Sequence, residues 1–180
     1  MTIETFETSK AGNQLTKIES KTGNASDVII SINKDKTLQT ITGFGGSFTQ
    51  ATAYLVSNLG EENRNKVIEA YFGETGAKYS LTRTHINSCD FSTENYAYSN
   101  TPGDTLLNDF SIERDKVELI PMIKQAQDVS KEGFKIISSP WTAPPWMKDN
   151  NKWKGGKLLP EYNETWALYF SKYISAYEKE

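Results

Sequence analysis

Apolar residues recur at helical spacing in four stretches of the chain. Intervals of three and four residues predict helices that begin near positions 50, 61, 119 and 164. Alternating or short apolar runs at positions 79–86 and 134–138 predict strands between those helices. Because strands that alternate with helices are typical of parallel βαβ units, the sequence predicts an α/β fold.

The first forty residues follow a different pattern. Positions 1–27 show little periodicity and predict a loose arm, with room for one strand. A β-branched run at 28–32 and an alternating run at 37–41 enclose a polar turn, which predicts a hairpin. The glycine-rich positions 43–46 lack the lysine of a nucleotide loop, so we interpret them as a close-packed turn from a strand into a helix.

Composition and charge exclude several classes of partner. The 180 residues contain 20 Lys and Arg against 23 Asp and Glu, which gives a net charge of −3. The basic residues are scattered, so no nucleic-acid partner is predicted. No apolar run is long enough for a transmembrane segment, and no signal peptide is visible, which leaves the compartment open. Cys89 is the one cysteine, so no internal disulfide can form.

An aspartate follows the strand at 79–86. Ligand sites of parallel α/β folds gather on the loops that leave the carboxyl ends of strands, and Asp90 lies in such a loop. Its carboxylate could accept two hydrogen bonds from neighbouring hydroxyl groups of one ligand. The alternative is an Asx turn, in which the carboxylate binds nearby backbone N–H groups, and spacing alone favours that alternative.

A tryptophan follows the strand at 134–138, in the proline-rich run 139–148. Prolines restrict the backbone, so Trp141 could present a rigid indole face to the apolar face of a sugar ring. The alternative for any of these tryptophans is a place in the core or an anchor for the loop. We expect that role for Trp146 and Trp153.

Two charged or titratable residues share one face of the strand at 79–86. Arg83 could orient a carboxylate near the strand ends, or it could form a salt bridge at the rim. His85 lies near Cys89 and Asp90, but their spacing matches no metal site, so a structural histidine is predicted. No metal or other cofactor is expected.

Three ordered motifs resemble glycoside hydrolase family 30, and most closely its glucosylceramidase-like branch. They are the run 43–49 (GFGGSFT), Arg83 with 87–92 (NSCDFS), and 139–148 (SPWTAPPWMK). The likeness spans positions 37–180. It departs from the family at Gln50, where an acidic residue is usual, and at Thr84 and His85, where animal members have Val-Pro.

The resemblance implies a TIM barrel, (β/α)8, fused to a small β-domain. Positions 1–41 would be an arm and strands of the β-domain, and 42–180 about three βα units of an incomplete barrel. It also implies retaining hydrolysis of β-glycosides such as glucosylceramide, β-glucans or simple β-glucosides. Asp90, Trp141 and Arg83 would bind the substrate, with Arg83 next to the nucleophile.

The same resemblance implies that the catalytic residues are missing. Retaining enzymes need two carboxyl groups roughly 5–5.5 Å apart. The family places one of them in an Asn-Glu-Pro motif that this chain does not contain. We therefore expect both catalytic glutamates beyond residue 180, and an N-terminal fragment that is inactive alone. The alternatives are a carbohydrate-binding module without catalysis and a remnant without function.

Overall fold

The computed structural model describes residues 4–19 and 31–180, which divide into two compact units between Thr40 and Ile41. In the first unit, strand β1 (Thr5–Glu7) pairs antiparallel with strand β2 (Thr16–Ile18). A turn at residues 9–13 joins them, and Gly12 adopts a φ of 110°, which favours glycine. This strand pair lies in the segment where the sequence predicts a loose arm.

The predicted hairpin is wrong in its second strand. Residues 37–41 form no strand, and their alternating apolar side chains are exposed, Leu38 by 77% and Ile41 by 66%. Alternation stabilises a strand only where one face packs against other residues, and these side chains have no such surface. Most of the other run, residues 28–30, lies outside the described residues.

The second unit is a parallel α/β layer, as the sequence predicts. Its sheet has the order β3-β4-β5, formed by β3 (Ser47–Phe48), β4 (Leu81–Ile86) and β5 (Lys135–Pro140). Both pairings are parallel, with Ser47 opposite Arg83 and Arg83 opposite Ile137. The helices are α1 (Gln50–Ser57), α2 (Glu61–Phe72), α3 (Leu119–Val129) and α4 (Asn163–Tyr177). None of the described helices combines the length and apolar character needed to cross a membrane.

Local chemistry sets several of these boundaries. The Thr49 side chain accepts a hydrogen bond from the Thr52 N–H and so caps the start of α1. Pro121 lies in the first turn of α3, where its missing N–H costs nothing. Three-residue 3₁₀ turns at Pro145–Met147 and Pro160–Tyr162 interrupt the loop between β5 and α4.

Two apolar clusters hold the unit together. One lies between the sheet and helices α1–α3, where Phe48 stacks on Phe72 with ring centroids 5.3 Å apart. The other packs α4 against the long loop after β4 through Tyr98, Leu107 and Tyr169.

The glycine-rich run is close-packed, but it does not follow a strand. Backbone carbonyls of Phe44 and Gly46 accept hydrogen bonds from β4, at Leu81 and Arg83. The run therefore leads directly into β3 and extends its pairing with β4. The sequence misplaces this strand because β3 itself has only two residues and too little pattern to detect.

Candidate sugar-binding site

The carboxyl ends of β4 and β5 lie side by side, since Ile86 is opposite Pro140 in the sheet. The loops that leave these ends enclose a cleft of about 550 Å³. Asp90 comes from the loop after β4 and Trp141 from the loop after β5, and both line this cleft. The topology thus brings together two residues that are 51 positions apart in sequence.

The Asp90 carboxylate is free to accept hydrogen bonds. It is exposed, and within residues 4–19 and 31–180 it accepts none. The local turn is closed instead by Ser92, whose hydroxyl accepts a hydrogen bond of 3.0 Å from the Cys89 N–H. The backbone bonds that the Asx-turn alternative requires are therefore not formed by the described residues.

The guanidinium of Arg83 lies over the ring of Trp141. The Arg83 guanidinium carbon lies 4.5 Å from the centroid of the Trp141 ring, a cation–π distance. Arg83 Nε also donates to Ser139 Oγ at 2.8 Å, which fixes the guanidinium against β5. The indole remains 42% exposed, so it keeps free surface for a ligand.

Arg83 faces a second cavity of about 310 Å³, which Trp141 and His85 also line. The alternative role of Arg83, a salt bridge at the rim, is not observed. No carboxylate of the described residues lies within ion-pair distance of Arg83. A guanidinium without an acidic partner is available to an incoming carboxylate or hydroxyl group.

Sequence reasoning missed Asn87, which organises this edge of the sheet. Asn87 is fully buried and has a φ of 65°, a conformation that asparagine tolerates better than most residues. Its Nδ2 donates to the Thr142 carbonyl at 3.3 Å, and its Oδ1 accepts from the Tyr169 hydroxyl. Asn87 thereby ties the loop that carries Asp90 to the residue that follows Trp141. An asparagine directly after a strand was the available signal.

The two tryptophans expected to be anchors behave differently. Trp146 is an anchor, since its Nε1 donates to the Ser99 carbonyl at 3.3 Å and its ring packs edge-on against Tyr162. Trp153 is only half-buried and lines the Asp90 cleft with Lys154 and the following glycines. Trp153 is therefore not a core residue, and its expected role as a loop anchor stays a prediction.

His85 is structural, as predicted. Its Nε2 accepts a hydrogen bond of 3.0 Å from the Gln50 N–H, and its Nδ1 lies 2.6 Å from the Asn87 carbonyl. These partners require the neutral tautomer with the proton on Nδ1. Burial lowers the pKa of His85 below its usual value, although the nearby Asp115 carboxyl opposes this shift. Within the described ranges, no three His, Cys, Asp or Glu side chains are placed to hold a metal ion.

Gln50, where the family usually has an acidic residue, also connects the elements around the site. It is buried, its Nε2 donates to Glu118 at 3.0 Å, and its Oε1 accepts from the Thr93 N–H at 2.7 Å. An amide can serve both partners, whereas a carboxylate could not donate to Glu118. Gln50 thus joins α1 to both ends of the long loop after β4.

Comparison with known proteins agrees with this geometry. The family model described as the glycosyl hydrolase family 30 TIM-barrel domain matches residues 41–180. Lysosomal acid glucosylceramidase of Mus musculus is 35% identical over 158 residues, which cover 84% of this chain and 31% of that protein.

Two solved structures have the same fold over this region. SrfJ from Salmonella typhimurium superposes with a TM-score of 0.75 at 37% identity, covering 79% of this chain and 32% of that one. The endo-β1,6-glucanase BT3312 also superposes with a TM-score of 0.75, at 29% identity, covering 93% of this chain and 37% of that one. The chain spans about a third of the length of these relatives. The strands and helices of residues 41–180 are therefore part of a TIM barrel, and the chain belongs to glycosyl hydrolase family 30, where it resembles the glucosylceramidase-like branch.

Proposed function

We propose that this chain supplies sugar-binding residues of a retaining β-glycosidase, of glucosylceramidase or β-glucosidase type. The observation that carries the proposal is that Asp90 and Trp141 line one cleft at the carboxyl ends of neighbouring strands. In TIM-barrel enzymes the substrate binds at this end of the barrel.

Each residue has a distinct role in the proposal. The exposed Asp90 carboxylate would accept hydrogen bonds from two adjacent sugar hydroxyls, and such charge-assisted bonds are the stronger ones. The Trp141 indole would pack on the apolar face of the same pyranose. Arg83 would hold the indole in place and lie beside the nucleophilic carboxylate.

The substrate class in the proposal is a β-linked glucoside. The names of two relatives, a glucosylceramidase and an endo-β1,6-glucanase, describe proteins that act on different glucosides. A site that grips one glucosyl unit through Asp90 and Trp141 would serve either substrate. No cofactor takes part in the proposed hydrolysis, since two carboxyl groups suffice for retaining chemistry.

The described residues of the two cavities do not provide the catalytic pair. Asp90 is the one carboxylate among the residues that line them. Glu94, four residues further, forms an ion pair of 2.8 Å with Arg114. Retaining chemistry requires two carboxyl groups roughly 5–5.5 Å apart, so we assign neither residue an acid/base or nucleophilic role.

Residues 1–180 are therefore expected to release no p-nitrophenol from p-nitrophenyl β-D-glucopyranoside, because the cleft lacks a second carboxyl group. Absorbance at alkaline pH measures the release, and the same chain without substrate serves as the blank. Steady turnover that disappears in Asp90→Ala would show that the chemistry lies within this chain and would contradict the assignment. Binding of the glucoside, measured separately, is expected to persist.

A further inference from the structure

The loop that closes one side of the Asp90 cleft is cross-linked around a buried lysine. Residues 148–158 leave and rejoin the fold through an isolated bridge between Lys148 and Leu158. Lys148 is only 6% exposed. A buried ammonium group is unfavourable unless its N–H groups are paired, so the position of Lys148 needs an explanation.

Its three N–H donors match three acceptors. Lys148 Nζ lies 2.8 Å from Thr142 Oγ1, 3.0 Å from the Trp153 carbonyl and 3.0 Å from the Gly155 carbonyl. The described residues place no carboxylate within ion-pair distance of Nζ. An ammonium group has three donors and no acceptor, so all of its hydrogen-bonding capacity is used here.

These acceptors join two parts of the cleft. Thr142 follows Trp141 directly, and its carbonyl already accepts from Asn87 at the end of β4. Trp153 and Gly155 belong to the segment 153–156 that lines the cleft together with Asp90. A single side chain therefore connects the strand ends that carry the sugar-binding residues to the wall that faces the same space.

We propose that Lys148 is a positioning residue that fixes the segment 153–156 as a wall of the sugar cleft. The inference deepens the proposed function, and its importance for sugar binding rests on that function. Lys148 touches no substrate in this account. It acts through the two backbone carbonyls that it holds and so sets the width of the cleft and the orientation of the Trp153 indole.

The charge of Lys148 gives the proposed role a pH dependence that a purely packing role would not have. Burial lowers the pKa of the Lys148 ammonium below its usual value of 10.5, while the adjacent Asp149 carboxylate opposes this shift. Thr142, Trp153 and Gly155, whose oxygens accept from the ammonium group, are uncharged, and the other charged residues of the loop are Lys152, Lys154 and Lys157. Deprotonation removes the positive charge and one N–H donor from Nζ, which weakens its hold on the Trp153 and Gly155 carbonyls.

The test is an alkaline titration of the Trp153 indole N–H resonance, assigned with Trp153→Phe, in the unmodified chain, in Lys148→Met and in Lys152→Met. Lys152 is the matched control, because it is exposed on the same loop and its Nζ binds none of these acceptors. We expect an inflection below pH 10.5 in the unmodified chain and in Lys152→Met, and none in Lys148→Met. An identical inflection in all three proteins would overturn the proposal.

A second measurement tests whether the loop held by Lys148 affects sugar binding. Methyl β-D-glucopyranoside is titrated into the same three proteins, and the affinity of Lys148→Met is expected to fall about tenfold while the resonances of α3 and α4 stay in place. Equal affinity in Lys148→Met and Lys152→Met would contradict the positioning role. If the unmodified chain does not bind the glucoside, the proposed function fails, and the indole titration still decides whether Lys148 holds the wall.

Discussion

Gly45→Ala is expected to lower the free energy of unfolding by at least about 3 kcal/mol, the upper end of overpacking costs. A Cβ at position 45 would lie 1.6 Å from the Leu81 carbonyl oxygen and 2.7 Å from its carbonyl carbon. Both atoms belong to the backbone of β4, so they cannot rotate away as a flexible side chain would. The sheet must separate at this point or the variant does not fold.

Gly60→Ala is the matched control for this prediction. Gly60 precedes α2 with a φ of −58°, and a Cβ there meets nothing within 4 Å. Denaturant unfolding of both variants, followed by circular dichroism, measures the difference. Gly60 is the N-cap of α2, where Ala is less favourable than Gly, whereas Gly→Ala lowers the entropy of the unfolded chain. Because these effects oppose each other, we expect Gly60→Ala to stay within about 1 kcal/mol of the unmodified chain. A stable Gly45→Ala would mean that residues 44–46 do not run along β4.

Asp115→Ala is expected to cost about 3 kcal/mol or more, since each buried polar group that loses its partner costs about 1–3 kcal/mol. Asp115 is 1% exposed and accepts hydrogen bonds from three tyrosine hydroxyls. Tyr98 and Tyr177 donate to Oδ2 at 2.5 and 2.6 Å, and Tyr96 lies 3.3 Å from Oδ1. The alanine variant leaves all three hydroxyls unpaired between the long loop and α4.

Asp115→Asn separates the hydrogen bonds from the charge. Its amide oxygen can still accept from Tyr98 and Tyr177, so we expect a loss of less than about 1 kcal/mol. Burial raises the pKa of the Asp115 carboxyl above its usual value, against the hydrogen bonds from Tyr177 and Tyr98, which lower it. Ionisation is therefore less favourable in the folded than in the unfolded chain.

The sign of the pH dependence follows from that shift. Above the unfolded pKa of 3.8 the folded chain binds the proton more tightly, so stability falls as the pH rises through the folded pKa. As the pH rises over that interval, the free energy of unfolding of the unmodified chain should therefore fall relative to that of Asp115→Asn. Urea unfolding of both proteins from pH 4 to pH 7 measures it. A constant difference would show that Asp115 is not the group that titrates.

The sequence predicts the second unit well where apolar periodicity is long. The predicted helices and strands of α2, α3, α4, β4 and β5 lie within a few residues of those observed, because each contributes apolar residues to one of the two clusters. The predicted strand at 37–41 fails because nothing packs on it. β3 was missed because two residues cannot show a period.

In the candidate site, too, the sequence predicts some residues and not others. Arg83, Asp90 and Trp141 were selected from motifs, which identify residue types next to strand ends. The roles of Asn87 and Lys148 depend on partners that the chain brings close only after folding. Lys148 looks like any lysine in a polar loop until the turns at 151–156, several with positive φ, direct two carbonyls toward it.

The central claim is that one pyranose contacts both Asp90 and Trp141, and a glucoside titration observed at the Trp141 indole N–H resonance tests it most directly. We expect a saturable shift with methyl β-D-glucopyranoside, and at least about tenfold weaker affinity in Asp90→Ala, since a hydrogen bond to a charged group contributes about 1.5–3 kcal/mol. Asp128→Ala, at an exposed position of α3, should bind like the unmodified chain. A Trp141 resonance that does not respond to the sugar, or an unchanged curve in Asp90→Ala, would contradict the account.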